Sequence, residues 1–397
     1  MRIALVNSSR RKLGGIETYL ENVIPELLSA GHQLAFWCET DEPTDRGEIG
    51  LRNQIANWCV AELGAGTALD ELRKWKPDIL YAHGLLDSEL EGSLLKTAPS
   101  VFFAHAYYGT CISGSKAWSN HTVRPCNRAF GPLCLLHYFP HRCGGLNPIT
   151  MVKEYRRQQS RLELLRRYRC VLTGSEHMRA EFEKHGLRVR KVPLFVSPSV
   201  ESKSEFVLSS QWRLLFVGRM ERLKGGLALV EAIPKIREAL GRPVHVTFAG
   251  HGPERRLWES KAAHIQASYS GVSFDFPGWV SRDACRKLFA GSDLLVMPSL
   301  WPEPFGLVGP EAGLFGVPAV AFRVGGISDW LQDGVNGHFA VAGRSPAASL
   351  AEAVIKCLGD SSSYLRLREG AFTMARRFNA QQHVRNLVTE LEQAVAS

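Results

Sequence analysis

Twice along its length this chain repeats one pattern that leaves few folds open. A short apolar run ends at a glycine or a polar residue, and helical periodicity follows it. In the first half the runs are Arg2–Val6, Leu34–Cys38, Pro77–His83, Ser100–His105 and Cys170–Thr173. Between the first two, Ile16, Tyr19, Leu20, Val23, Ile24, Leu27 and Leu28 recur on one helical face, and Gly31 ends the helix. The second half restarts at Arg213–Gly218 and continues through Val244–Ala249, Val272–Phe276, Asp293–Pro298 and Ala319–Phe322. Strands alternating with helices specify parallel, doubly wound sheets. The polar stretch Ser197–Ser204 suits a linker. The expectation is two Rossmann-like α/β domains, 1–200 and 205–378, and 397 residues suffice for two cores.

Open parallel sheets bind ligands beyond the carboxyl ends of their strands. There the first half places a basic loop ending in Gly14-Gly15, then His83 and His105. Gly14-Gly15 opens a helix without the full dinucleotide fingerprint, so it reads either as a phosphate-binding turn or as an ordinary helix start. The densest stretch is Ser299–Phe322. An apolar strand leads into a Pro/Gly-rich loop carrying Glu303, and a short helix begins near Gly306. Pro310 fits only in that helix's first turn. Glu303 and Glu311 therefore flank a helix N-terminus, where amides and the dipole favour anions. The spacing is compatible with a cap and a solvated carboxylate, or with a ligand bearing both phosphates and hydroxyls.

The net charge of +9 leaves three classes of partner: nucleic acid, an anionic membrane surface, or a phosphorylated substrate. Seven of the cations, Lys153, Arg156, Arg157, Arg161, Arg166, Arg167 and Arg169, fall on one helical stretch, 153–169. That stretch is either a solvated face or a patch for a membrane or an anionic acceptor. The excursion 109–147 departs from the strand–helix rhythm and holds Cys111, Cys126, Cys134 and Cys143, with His121, His137 and His141 among them. Four thiols in a Gly/Pro-rich loop admit a structural zinc, an iron–sulfur cluster, or simply buried thiols; no Cys-x-x-Cys pair selects among these. Nine cysteines without a secretion signal predict reduced thiols and a cytoplasmic protein.

The ordered set of motifs is more specific than any one of them. Gly14-Gly15-Ile-Glu17, Gly218-Arg219 with Lys224-Gly225, Gly250-His-Gly-Pro253 and Gly278-Trp-Val280 come first. Pro298-Ser299, Glu303-Pro-Phe-Gly-Leu307 through Glu311-Ala312, Gly316-Val-Pro318, Gly325-Gly326 and Asp333–Gly337 follow. In this order the chain resembles the family 4 retaining glycosyltransferases, whose GT-B architecture sets two Rossmann-like domains around a central cleft.

The resemblance implies a nucleotide diphosphate sugar as donor and no cofactor. Arg219 and Lys224 would hold the diphosphate in place of a divalent metal, with Gly218 beside them. The amides of Gly306 and Leu307, next to Phe305, would complete the anion site, and Gly14 and Gly15 would approach from the other domain. Glu311 would take the ribose, Glu303 the sugar, Val280 the base, and His105 the transferred sugar. It also implies that the last helix, 379–397, returns to the first domain, and that the acceptor is a saccharide or lipid-linked saccharide met at the inner membrane surface. Chain segments around Phe195 and His251 depart from the family pattern. A sugar-nucleotide epimerase or a phosphorylase on the same fold is the alternative, but no additional acid/base group or cofactor lysine is identifiable for either. Nucleic acid is set aside because the basic residues accompany no recognition module.

Overall fold

The computed structural model describes residues 1–12, 14–42, 47–50, 55–120, 122–196, 209–341 and 345–397. The expected linker Ser197–Ser204 and His121 lie outside them. The chain divides into two compact units: residues 1–116, 127–197 and 379–397 form the first, and 117–126 with 198–378 the second.

The first unit begins with β1 (Arg2–Ser9), β2 (Gln33–Thr40), β3 (Ala56–Cys59), β4 (Ile79–Ala82) and β5 (Ser100–Ala104). A two-stranded antiparallel ladder, β6 (Ala117–Trp118) with β7 (Arg124–Pro125), interrupts the series and clusters with the second unit. The first unit resumes with β8 (Cys170–Thr173) and β9 (Val189–Lys191). Its seven strands run parallel in the order β3-β2-β1-β4-β5-β8-β9. Ile3, Ala4 and Leu5 of β1 are fully buried, as are Val101 and Phe103 of β5, because helices cover both faces of such a sheet. The helix Gly15–Ser29 turns Tyr19, Leu20, Val23, Ile24 and Leu27 inward, the face its periodicity specifies.

The second unit contains β10 (Trp212–Val217), β11 (Val244–Ala249), β12 (Val272–Gly278), β13 (Leu294–Met297), β14 (Ala319–Phe322) and β15 (Gly337–Ala340). All pair in parallel in the order β12-β11-β10-β13-β14-β15, the arrangement of a dinucleotide-binding sheet. Trp258 is fully buried with Phe216 edge-on to it, ring centroids 5.4 Å apart. At Gly226, where the helix Gly226–Leu240 begins, a Cβ would fall 2.3 Å from the Trp258 ring, so only glycine lets that helix seat.

Each sheet reverses its winding direction once, between β1 and β4 in the first unit and between β10 and β13 in the second. A crevice opens at the carboxyl ends of strands on either side of such a reversal. The helix Ala380–Ala396 belongs to the first unit, where Leu387 and Leu391 are fully buried. Among the described residues no helix is long and apolar enough to cross a membrane.

The structure revises two expectations about the irregular region. Cys111 sits in a tight turn with Ser113, its sulfur accepting the Lys116 amide, while Cys143 bonds the carbonyl of His137. Cys126 lies in the part that clusters with the second unit and Cys134 in the short helix Leu133–His137. The four thiols do not converge, and among the described residues no three His, Cys, Asp or Glu side chains gather as a metal site. The zinc reading is withdrawn on that geometry. The basic helix runs Pro148–Leu165 rather than 153–169, and several of the later cations have partners within the protein. Arg161 lies over the Tyr108 ring, Arg167 donates to the Gly92 carbonyl, and Arg169 donates to the Ser397 carbonyl.

Candidate functional site

In the second unit the reversal brings two motif loops into contact. After β10 the chain turns through Gly218 and Arg219 into a short 3-10 turn, Arg222–Lys224. After β13 it enters Pro298–Gly306. The two loops are stitched by the Leu300 amide donating to the Leu223 carbonyl at 2.9 Å. Gly225 has φ +67°, and a Cβ there would meet the Pro298 carbonyl oxygen at 2.0 Å. Glycine is what permits this approach.

The contact delivers Lys224 to Glu303. Lys224 Nζ lies 2.7 Å from Glu303 Oε1 and 5.1 Å from the Trp301 ring centroid. The same carboxylate oxygen accepts from Trp301 Nε1 at 3.0 Å and from the Ser299 hydroxyl. Glu303 is only 5% exposed. Removing one partner of a buried ion pair costs about 3–5 kcal/mol when it strands the other. Here two neutral donors remain on Glu303, so Lys224 can turn to another anion without leaving the carboxylate bare. The loop is held from behind by the Gly326 amide, which donates to the Glu303 carbonyl at 2.7 Å. At Gly325, with φ +58°, a Cβ would meet that carbonyl oxygen at 2.2 Å.

The other expected residues occupy the same ends of the strands. The Arg219 side chain is 69% exposed, with its Nε 3.7 Å from Glu221, and so is a cation available to solvent. Gly218 has φ +155° and packs closely on Gly250, where a Cβ would meet its carbonyl oxygen at 1.9 Å. Phe305 is buried against Phe378, and its carbonyl accepts from Trp330 Nε1 at 2.9 Å, so its part is packing. Gly306 takes φ +85°, and the helix begins one residue after Leu307, at Val308–Gly313. Glu311 lies in the first turn, half-buried. Burial raises its carboxyl pKa, and Arg282 and Arg286 offset part of that rise. Val280 is half-buried just after β12, beside an exposed Trp279.

In the first unit the loop after β1 carries charges paired within the protein, Arg10 to Asp41 and Glu62, and the ends of β4 and β5 hold neutral groups. Gly14 and Gly15 are exposed, and a Cβ on either would meet nothing within 4 Å. Glu17 caps their helix, accepting the Gly14 amide at 2.8 Å and Asn7 Nδ2 at 3.1 Å. His83 and His105, at the ends of β4 and β5, are bonded to each other, Nδ1 to Nε2 at 2.9 Å. Burial drives both below the usual histidine range, His105 to about 3, with His383 lowering it further. Both rings are therefore neutral at physiological pH.

The tautomers follow from the hydrogen-bond inventory. Among the described residues His83 Nε2 is buried with no hydrogen-bond partner. A stranded lone pair costs less than a stranded N–H, so the His83 proton belongs on Nδ1. His83 then donates to His105 Nε2, and His105 keeps its proton on Nδ1. Beneath the pair, His383 Nδ1 bonds the Pro193 carbonyl at 2.7 Å, its Nε2 meets the Tyr19 hydroxyl at 2.8 Å, and Tyr19 meets Tyr81 at 2.6 Å. The sequence singled out His105 but gave His83 no part in orienting it. The signal available was that both histidines end adjacent strands of one sheet.

Comparison with known proteins agrees with the fold of each unit. Residues 13–199 match a family model described as Glycosyltransferase Family 4, and residues 211–360 one described as Glycosyl transferases group 1. An uncharacterised glycosyltransferase of Methanocaldococcus jannaschii is 36% identical over 124 residues, 31% of this chain and 30% of that protein. A D-inositol 3-phosphate glycosyltransferase of Arthrobacter sp. is 34% identical over 176 residues, 41% of each. The chain thus spans well under half the length of these curated relatives. Anabaena HepE, solved in complex with UDP, superposes with a TM-score of 0.69 at 18% identity, covering 99% of this chain and 100% of that one. Between them the two family models match most of the sequence, in the order of its two parallel α/β units, and the chain belongs to the family 4 glycosyltransferases of GT-B architecture.

Proposed function

We propose that this protein is a retaining glycosyltransferase that moves a sugar from a nucleotide diphosphate sugar to a saccharide or lipid-linked saccharide, in cell-surface polysaccharide or glycoconjugate synthesis. The observation that carries this reading is the Lys224–Glu303 pair at the second unit's reversal point, with exposed Arg219 on the same loop. A diphosphate arriving there finds two cations, and charge-assisted hydrogen bonds contribute about 1.5–3 kcal/mol each. Once Lys224 turns to phosphate, Glu303 stays held by Ser299 and Trp301 and offers its carboxylate to the donor sugar's hydroxyls.

In the transfer step the bond from the anomeric carbon to the diphosphate oxygen breaks, and its electron pair leaves with the diphosphate. Arg219 and Lys224 take up that developing charge. The acceptor hydroxyl oxygen bonds the anomeric carbon and its proton passes to the departing phosphate. The amides of Gly306 and Leu307, with Gly15, add donors to the phosphates. Glu311 accepts from the ribose, Val280 meets the base, and Phe305 braces the loop. His105, neutral, donates from Nδ1 to the transferred sugar. Because two side-chain cations supply the charge, the chemical step proceeds without a divalent metal.

The UDP complex of HepE makes UDP-sugars the first donors to test. The protein works as a peripheral protein on the cytoplasmic face of the cell membrane, without a nucleic-acid partner. A panel of sugar nucleotides tests the reading by thermal stabilisation and slow hydrolysis. A true donor at a hundred times its Kd stabilises the native state by about 2.7 kcal/mol. If no sugar nucleotide shifts the melting temperature and none is hydrolysed, the reading fails.

A further inference from the structure

Exposed apolar side chains are ordinary when scattered and informative when gathered. Here Leu133, Leu136, Phe139, Leu146, Ile149 and Val152 are all exposed within one short stretch, Leu136 at 72%, Leu146 at 70% and Ile149 at 77%. The stretch is an ordered platform. The His141 amide donates to His137 at 3.1 Å and the Cys143 amide to Tyr138 at 3.0 Å, while Tyr138 itself is buried. Phe130 packs on Tyr155, ring centroids 5.2 Å apart, which fixes the platform to the helix Pro148–Leu165. Leu133 and Leu136 are three apart on one helical turn, and Ile149, Val152 and Arg156, three and then four apart, share one face of the next helix.

The charge around these side chains is predominantly positive. Between Glu91 and Glu154 the sequence contains no acidic residue, and Glu154 is itself ion-paired to Arg157. Arg128, Arg142, Lys153 and Arg156 are exposed among the apolar groups. A second copy of this chain would set cations against cations, so a symmetric dimer is disfavoured. A surface of apolar chains ringed by an excess of cations matches the interface of an anionic bilayer, where the former enter the acyl boundary and the latter meet phosphate headgroups.

We infer that residues 128–156 dock this protein on an anionic lipid bilayer, with the apolar platform inserting and the flanking Arg and Lys side chains on the headgroups. The inference rests on the proposed action on a membrane-borne acceptor, and moves the contact from 153–169, whose later cations include Arg161, Arg167 and Arg169 with partners inside the protein.

The test is flotation of the full chain with phosphatidylcholine vesicles, alone or containing roughly a third phosphatidylglycerol. Binding is expected only to the anionic vesicles and is expected to fall when salt shortens the screening length to about 3 Å. Leu136→Asp with Ile149→Asp, and separately Lys153→Gln with Arg156→Gln, should each weaken binding about tenfold or more. All four side chains are exposed, so the melting temperature and donor hydrolysis should not change. Equal binding to neutral vesicles, wild-type binding by both variants, or a self-association abolished by Leu136→Asp would overturn the inference. Donor hydrolysis without vesicle binding would sink the docking surface and leave the transferase reading intact; vesicle binding without donor recognition would do the reverse.

Discussion

The two reversal points of this protein share a topology and differ in electrostatics. At the second unit's, between β10 and β13, a lysine and a glutamate form a partly buried ion pair beside an exposed arginine. At the first unit's, the loop after β1 spends its charge in the internal pairs Arg10–Asp41 and Arg10–Glu62, and the loops after β4 and the neighbouring β5 present two histidines that burial keeps uncharged. The same winding therefore leaves a cation open to solvent in one sheet, and in the other pairs its charges internally beside a neutral imidazole. Topology decides where the chain presents side chains; the burial around them decides what they can do. Charge suits a diphosphate, whereas a neutral imidazole can meet a sugar hydroxyl without competing for phosphate.

The sharpest way to break this comparison is to remove the exposed cation. Arg219→Ala should cost about 10²–10³-fold in turnover, the scale of losing one donor to a developing oxyanion, with the melting temperature unchanged. Near-normal turnover would remove the charged site from the chemistry. Glu303→Gln keeps the contacts of Ser299 and Trp301 but ends the ion pair, and a loss of about 10–10²-fold in kcat is expected. A change confined to KM would mean that Glu303 only binds. In the first unit, His83→Phe keeps a ring in the space but frees the His105 tautomer. About a tenfold fall in kcat is expected with donor KM held, together with mixed protonation of His105 in nitrogen NMR spectra. An unchanged tautomer would disprove the relay.

Acid separates the two regions by stability. His105 and His383 titrate near 3 and 4 in the native state, against 6.5 when unfolded. Between those values the unfolded chain binds more protons, so their contribution is complete above about pH 6.5 and declines as pH falls. By pH 5 the loss is about 1–2 kcal/mol per histidine. Protection factors, corrected for the slower intrinsic exchange in acid, should fall in β4, β5 and Ala380–Ala396 on going from pH 7 to pH 5, and not in β10 or β13. A uniform fall would show that the neutral cluster has no special acid sensitivity. The smallest effect concerns the thiols. Cys134→Ser should change stability by less than about 1 kcal/mol, and the purified protein should carry no stoichiometric zinc by elemental analysis.

Much of this arrangement is legible in the sequence because it is written in local chemistry. The strand Ala319–Phe322 follows from its apolar run, and the helix Gly15–Ser29 from its apolar period and the stop at Gly31. The order of glycines and carboxylates marks both reversal points. Pairings across loops are not legible. Lys224 and Glu303 read as servants of different parts of a ligand, yet they are bonded to each other, because contact between loops depends on Gly225 and its neighbours closing to van der Waals distance. The cysteines mislead for the converse reason. Four thiols in one stretch look like a set, but among the described residues no three potential ligands gather as a metal site there.

The C-terminal helix carries a consequence for how the protein is made. His383 completes the chain of hydrogen bonds through Tyr19 to Tyr81, and Leu387 and Leu391 fill the first unit's core. A ribosome must therefore finish the entire second unit before the first can close. Until then the nascent first sheet waits with an open apolar slot, the kind of surface that holdase chaperones bind. The second unit, contained in a nearly continuous run from 198 to 378, can fold at once. The first unit is begun before the second and closed after it, so truncation within Ala380–Ala396 removes a keystone rather than a tail.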